Sequence, residues 1–393
     1  MDTSRISPLG LGNDDISSRP DSGQDRGAPR PDSRTWDRDA DRPAPIFELS
    51  VIVPARNEEA VLSGCLASLL AQDDAVTFAL GRDWELIVVD DDSTDRTHEI
   101  ADGAAAQHMG VTVLRAPPLE LSATKLGFTG KTNACWAGAQ QARGRWLLFT
   151  DADTLHEPGD LVRALHEAKK HSVSLLSYSP RQIVKGLAQH ALMPLVFSEL
   201  ATVYPTDQVN DPARRLAAAN GQFLLVERDA YFAVGGHRMV GKSVLEDVDL
   251  AFNIKRSKRA IRFRYAPDAL STRMYRGFGD MVEGWTKNLV LLFPHALTLA
   301  AWRLLDILLL LLPLLLYALP YLVLWQRTAI ILLWARTLFR FYRRVARSNF
   351  PFVDCAISVF ALPLFIALLI RSWMNHKLLH RIAWKGREYR TGR

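Results

Sequence analysis

Cysteine is scarce in this chain. Cys65, Cys135 and Cys355 are the only three among 393 residues, and none forms a CxxC pair. So sparse and odd a set excludes a disulfide framework and a thiolate metal site, and it points to a reducing compartment. Cys135 reads as an ordinary small buried residue. Residues 1 to about 46 hold hardly any large apolar side chain and are rich in Asp, Arg, Ser, Pro and Gly. Such a segment buries too little surface to offset its ordering entropy, so a disordered tail without a signal peptide is expected. Zinc-ligand spacings and aromatic-studded basic grooves are also missing beside the net charge of +6. No nucleic-acid partner is therefore expected. The excess Arg and Lys flank apolar runs near the C-terminus, where anionic lipid headgroups are the fitting partner.

From Phe47 onward the pattern turns regular. Leu49–Val53, Leu86–Val89, Val111–Leu114 and Trp146–Phe149 read as strands, and apolar spacing predicts helices over 58–72, from about Thr94, and over 133–142. Strands alternating with helices imply right-handed crossovers and a mostly parallel sheet, so the fold class is α/β. After Thr154 the pattern becomes mixed, with helices at 161–170, 228–234 and 248–258 and strands at 172–178 and 221–226.

Hydrophobic residues make up 48% of the chain, and the surplus lies after Leu289. Leu304–Trp325 carries Asp306 as its only charge and is long enough to span a bilayer, with Pro313 and Pro320 as kinks. Phe352–Ile370 is a second candidate span. Arg336 and Arg340 interrupt the run 328–342, and Met281–Trp302 fits an interfacial helix. The expected organisation is a tail (1–46), a catalytic domain (47–279), an interfacial segment (280–303), two or three spans (304–371) and a basic tail (372–393). Such a chain would be a multi-pass protein of the inner cell membrane with its catalytic part in the cytosol. Arg343, Arg344, Arg347 and the basic tail should then share that side. Two spans misplace the first group and three misplace the tail, so the number of crossings stays open.

Three acid clusters carry the chemistry: Asp90-Asp91-Asp92, Asp151-Ala152-Asp153 and Glu246-Asp247. The first two end apolar strands, at the sheet edge where ligands of open α/β sheets bind. Carboxylates there suit Mg²⁺ or Mn²⁺, which takes its remaining ligands from a substrate diphosphate. One acid after the second strand can accept the imide N–H of a pyrimidine, while Ser93, Thr94 and Asp95 read as a cap for the next helix. Gly130-Lys131-Thr132 is not a P-loop, because Lys125 stands where that motif needs glycine. Lys131 remains a phosphate ligand or a partner for the acids. Glu246 or Asp247 can serve as the base that deprotonates an acceptor hydroxyl. Arg273 and Arg276, with Trp285 and Lys287, precede the first span and either steer an apolar acceptor or anchor the interface. His237 either faces the acceptor or is structural.

Together, Leu49-Ser-Val-Ile-Val-Pro-Ala-Arg-Asn-Glu58, Val88-Val-Asp-Asp-Asp-Ser-Thr-Asp95, Gly130-Lys131, Asp151-Ala-Asp153 and Glu246-Asp247 resemble family 2 glycosyltransferases over roughly residues 47 to 290. The run Gly130–Trp136, Gly235-Gly-His237, Arg273-Met-Tyr275 and Gly284-Trp285 are most similar to the bacterial membrane branch with carotenoid-acid and hopanoid-associated members. The resemblance implies a GT-A fold, an inverting mechanism and a nucleotide-sugar donor, commonly UDP-linked. It implies that Pro54, Ala55, Arg56 and Glu58 line the nucleotide pocket and that Asp91 meets the base. Asp151 would contact ribose or phosphate, Asp153 would bind the metal, and Asp247 would be the general base. The Gln-x-x-Arg-Trp run of the processive synthases is absent, with only Gly284-Trp-Thr-Lys287 nearby. That favours a single transfer to a lipid acceptor at a membrane.

Overall fold

The computed structural model describes residues 45–74, 76–119, 128–379, 381–384 and 387–390. Nearly all of the expected N-terminal tail, 1–46, lies outside them, whereas most of the basic tail 372–393 is described. The strands are β1 (Phe47–Ala55), β2 (Trp84–Asp90), β3 (Val111–Arg115), β4 (Gly144–Phe149), β5 (Thr154–His156), β6 (Leu175–Ser179), β7 (Arg181–Gln182), β8 (Leu224–Glu227), β9 (Ile261–Tyr265) and β10 (Leu270–Thr272), with a separate C-terminal pair, β11 (Arg381–Trp384) and β12 (Arg387–Arg390). Seven of them form the main sheet in the order β3-β2-β1-β4-β8-β6-β9. β1 to β4 run parallel, β8 is antiparallel to both neighbours, and β9 runs parallel to β6. A small sheet, β5-β10-β7, stands beside it. The expected α/β class holds.

Helices cover both faces of the sheet. β2 is buried at every position, which is why it reads as an unbroken apolar run rather than an alternating one. In β1, Leu49, Val51 and Val53 enter one core and Ile52 the other. Each such fully buried aliphatic side chain contributes about 1.5–3 kcal/mol. Helix Gly130–Gln141 lies close on the sheet at Gly138, where an added Cβ would stand 2.6 Å from Ile52 Cγ2. That close seat carries Lys131, in the helix's first turn, to the ends of β1 and β4.

Several elements differ from expectation. β8 starts at Leu224 rather than 221, because Asn220 Oδ1 accepts from Gln222 N at 2.9 Å and Phe223 N donates to Asn220 O at 3.1 Å. That turn competes with the strand. β9, interrupted by Arg262 and Arg264, and the three-residue β10 escape the pattern. So does helix Leu187–Val203, which is buried through most of its length and has no polar face to set a period.

Beyond the sheet, helix Phe278–Leu292 leads to helices Ala296–Tyr317 and Leu324–Val345. The run 328–342 that Arg336 and Arg340 interrupt is therefore continuous helix. The preceding helix begins at Ala296 rather than Leu304 and stops at Tyr317, because Pro320 cannot extend it. These two helices form an antiparallel hairpin: Trp334 Nε1 donates to Leu310 O at 3.1 Å, and Arg344 reaches Asp306 at 2.8 Å. Ala296–Tyr317 and Phe352–Leu378 are long and apolar enough to cross a membrane. The second is tied to Phe278–Leu292, where Val290 N donates to Ser372 Oγ at 3.0 Å.

Candidate active site

The loops after β1 and β2 are sewn together by short polar side chains. Thr94 N donates to Asn57 Oδ1 at 2.9 Å, Glu58 N to Thr97 Oγ1 at 2.7 Å, and Glu59 N to Asp95 Oδ2 at 3.1 Å. Arg56 donates to the Asp91 carbonyl at 2.6 Å and lies 3.8 Å from its carboxylate. Ser93 and Thr94 thus bridge loops instead of capping, while Asp95 Oδ1 accepts from Thr97 N at 3.0 Å where helix Thr97–Gln107 starts.

The turn Asp151–Asp153 follows β4 and is held from beneath. Thr150 Oγ1 donates to Gln222 O at 2.9 Å and meets His156 Nε2 at 3.1 Å, while His156 Nδ1 meets Asp160 Oδ2 at 2.9 Å in the buried interior. Thr272 Oγ1 donates to Asp153 O at 3.3 Å. With the backbone so fixed, the two carboxylates point where the β1 and β2 loops converge.

Thr129 and Thr132 form a capping box that starts helix Gly130–Gln141. Lys131 Nζ lies 2.8 Å from Asp151 Oδ1 and 3.0 Å from Glu246 Oε1. Burial pushes the ammonium down, but these acids overcome it and hold it well above the ordinary lysine range. Burial likewise pushes Glu246 up, and Lys131 outweighs it, so Glu246 stays below the ordinary carboxylate range. Asp247 differs. Burial and the Glu246 charge outweigh Lys131 and two backbone donors, and its carboxyl is pushed up to about 7. Those donors are Gly221 N at 2.7 Å and Val248 N at 2.9 Å. Two neighbouring acids are thus driven apart, the pattern that separates acid and base roles. Burial also lowers the Lys287 ammonium, against the pull of Glu246.

These groups line one cavity of about 790 Å³. Pro54, Ala55, Arg56, Glu58, Asp91, Lys131, Asp151, Asp153, Glu246, Asp247, Arg273, Trp285 and Lys287 all border it. His237 does not. It is buried with its Nδ1 2.9 Å from the Tyr231 hydroxyl and its ring 4.6 Å from that of Phe149, and burial lowers its pKa to about 4. The acceptor-facing reading of His237 gives way to a structural one. Trp285 is buried too, edge-on to Tyr275 and Phe197, so it is no exposed interfacial anchor. The opposite wall is apolar, built by Phe197, Leu200, Tyr204 and Leu292.

Gly221 was not singled out from the sequence. An added Cβ there would stand 2.8 Å from Lys131 Nζ, and its N–H fixes Asp247. The Asn220-Gly221 turn signal was present but was absorbed into a strand. Arg276 also reaches back, lying 3.6 Å from Glu58.

Asp151 and Asp153 offer hard oxygen donors on the cavity wall. Among the described residues no group of three or more His, Cys, Asp or Glu gathers into a cage. That donor set fits Mg²⁺ or Mn²⁺, which binds through one or two carboxylates and completes its shell with water and phosphate.

The family model for glycosyl transferase family 2 matches residues 50–246, half of the chain. The chain belongs to that family. Its seven-stranded sheet, with acids at the carboxyl ends of parallel strands, is the GT-A arrangement that the motifs implied. Among similar proteins, the 4,4'-diaponeurosporenoate glycosyltransferase of Staphylococcus haemolyticus is 31% identical over 61% of this chain and 60% of its own. The match therefore spans about three fifths of that relative's length. The Staphylococcus aureus protein of the same name is 27% identical over 87% of this chain and 88% of its own. Among solved structures, a mannosyltransferase from Pyrobaculum calidifontis in complex with GDP-Man and Mn²⁺ is similar at 16% identity and a TM-score of 0.49. That match covers 88% of this chain and 92% of the other.

Proposed function

We propose that this family 2 member is a membrane-anchored inverting glycosyltransferase, moving one sugar from a nucleoside-diphosphate sugar, UDP-linked, to an apolar acceptor. The observation that carries the reading is the single cavity in which the donor-side acids, Asp247 and an apolar wall meet. The names of the staphylococcal relatives support an acceptor of lipid character.

In this reading Asp91 accepts the imide N–H of the base, with Arg56 against it, and Pro54, Ala55 and Glu58 flank the ring. Asp151 faces ribose and phosphate, and Lys131 turns its charge toward the diphosphate. Asp153, beside Asp151, would hold a Mg²⁺ or Mn²⁺, which when bound would supply charge neutralisation for the leaving diphosphate. Asp247 takes the proton of an acceptor hydroxyl. The oxygen's electron pair then forms the new bond to the anomeric carbon, while the bond to the diphosphate oxygen breaks on the opposite face. The configuration inverts. An acceptor carboxylate would arrive already ionised, and Asp247 would then orient it.

The hairpin Ala296–Val345 enters the bilayer with its tip, residues 318–323, farthest from the catalytic domain. Both inner ends lie beside helix Leu187–Val203, since Arg303 and Arg344 reach Glu199 at 3.0 and 3.3 Å. Arg343, Arg344 and Arg347 then share the cytosolic side with the catalytic part, as the distribution of basic residues requires.

Asp247→Asn should abolish transfer of labelled sugar while leaving donor binding nearly intact. Parental turnover in that variant would remove Asp247 from the base role. Product length tests the single-transfer reading: one sugar per lipid is expected, and a ladder would mark a polysaccharide synthase. Mass spectrometry of lipids from cells with and without the gene identifies the acceptor.

A further inference from the structure

A second cavity, of about 340 Å³, opens between the two hairpin helices, away from the catalytic site. Its floor is basic. Arg336, Arg340, Arg343 and Arg347 recur at i, i+4, i+7 and i+11, so they share one face of helix Leu324–Val345 and its continuation. Its upper wall is apolar, formed by Trp302, Leu305, Leu309 and Leu333.

The acids nearby are already engaged. Glu199 and Asp306 are taken by Arg303 and Arg344, at 2.8 to 3.3 Å. Among the described residues, Arg336, Arg340, Arg343 and Arg347 have no acidic partner within 4.0 Å, and all four side chains are exposed. Like charges one turn apart repel, so this row invites an anion. Arg336 lies nine residues before Val345, about 14 Å along the helix. Arg340 and Arg343 lie within about 8 Å of that end, where an arginine snorkels to the headgroup layer, and Arg336 lines the inner end of the groove.

Resting on the bilayer-inserted hairpin proposed above, we infer that this groove binds the phosphate headgroup of an anionic membrane lipid. The arginines grip the phosphate in bidentate fashion, and the lipid's chains lie along Leu305, Leu309 and Leu333. The site lies apart from the donor cavity, so it sets how the enzyme sits on the membrane rather than the chemistry.

The test uses the full-length chain in phosphatidylcholine vesicles with and without phosphatidylglycerol, each in turn carrying brominated chains that quench Trp302 and its neighbours. Stronger quenching by brominated phosphatidylglycerol is expected, undiminished by millimolar inorganic phosphate. Arg340→Gln with Arg343→Gln should weaken the preference about fivefold per arginine removed, with binding of the UDP-sugar donor unchanged. Arg340→Lys with Arg343→Lys keeps the charge but loses the fork, and should also lower the preference. Equal quenching by both lipids, or full preference in the lysine variant, would overturn the site. Loss of donor binding in the parent chain would instead count against the glycosyltransferase reading alone.

Discussion

Two partly buried clusters of charge among the described residues are balanced differently. At the base of the hairpin, Arg303 and Arg344 meet Glu199 and Asp306, two cations against two anions. In the larger cavity, Lys131 sits against Asp151 and Glu246, with Asp247 adjoining and Lys287 nearby, two cations among three acids. A balanced set neutralises its own charge and ties the helices together. An unbalanced set is relieved only when an acid holds a proton or another cation arrives, and that is the state a site for metal, diphosphate and acceptor proton needs. Charge imbalance, rather than burial, separates the catalytic cluster from the structural one.

The same chemical change should therefore have opposite consequences in the two places. Asp247→Asn removes an acid from the overcrowded cluster. Turnover should fall by about 10²–10⁴ if the residue is a general base, while the melting temperature of the detergent-solubilised chain holds or rises. Glu199→Gln removes an acid from the balanced cluster and leaves two arginines facing one carboxylate. Breaking a buried pair in this way costs about 3–5 kcal/mol, which a clear drop in melting temperature would register. If both variants melt alike, the distinction between the clusters fails.

A gentler probe is pH. Asp247 carries a carboxyl pushed up to about 7 from an ordinary 3.8. Between those values the folded chain holds a proton that the unfolded chain releases, so rising pH costs stability across that window and no further above it. Activity runs the other way, because the base works only when ionised. For a hydroxyl acceptor, kcat/KM should climb about tenfold per pH unit below an apparent pKa near 7 and then level, the value belonging to the Glu246–Asp247 pair as a whole. A profile flat from pH 5.5 to 8 would point to an acceptor that arrives ionised, with Asp247 orienting it.

The sequence made the donor half legible because its signals are local. The first two acid clusters each end a buried strand, and β1, β2 and β4 place those ends together by parallel pairing. Asp91, Asp151, Asp153 and Asp247 accordingly line one cavity. Legibility failed where packing decided. Helix Leu187–Val203 is apolar on all sides, so its period is invisible, yet it supplies Phe197 and Leu200 to the acceptor wall and Glu199 to the balanced cluster. His237 sits in a motif-like Gly-Gly-His run, but only the fold shows that it bonds Tyr231 in the core. The hairpin stayed hidden because Arg336 and Arg340 break the apolar pattern of helix Leu324–Val345.

Gly221→Ala should have the smallest effect and gives the finest test of what tunes Asp247. The added methyl group would stand 2.8 Å from Lys131 Nζ and 3.5 Å from Asp247 Oδ2. Only the flexible end of a lysine must yield, so stability should change by less than about 1 kcal/mol, as for most substitutions outside a core. The ammonium, pushed off Asp151 and Glu246, would shield Asp247 less. The acid limb of kcat/KM should then move to higher pH, with about a tenfold loss at pH 7 and near-parental activity at pH 8.5. A glycine variant that loses activity equally at every pH would show that the turn sets the position of Asp247 and leaves its proton affinity to burial.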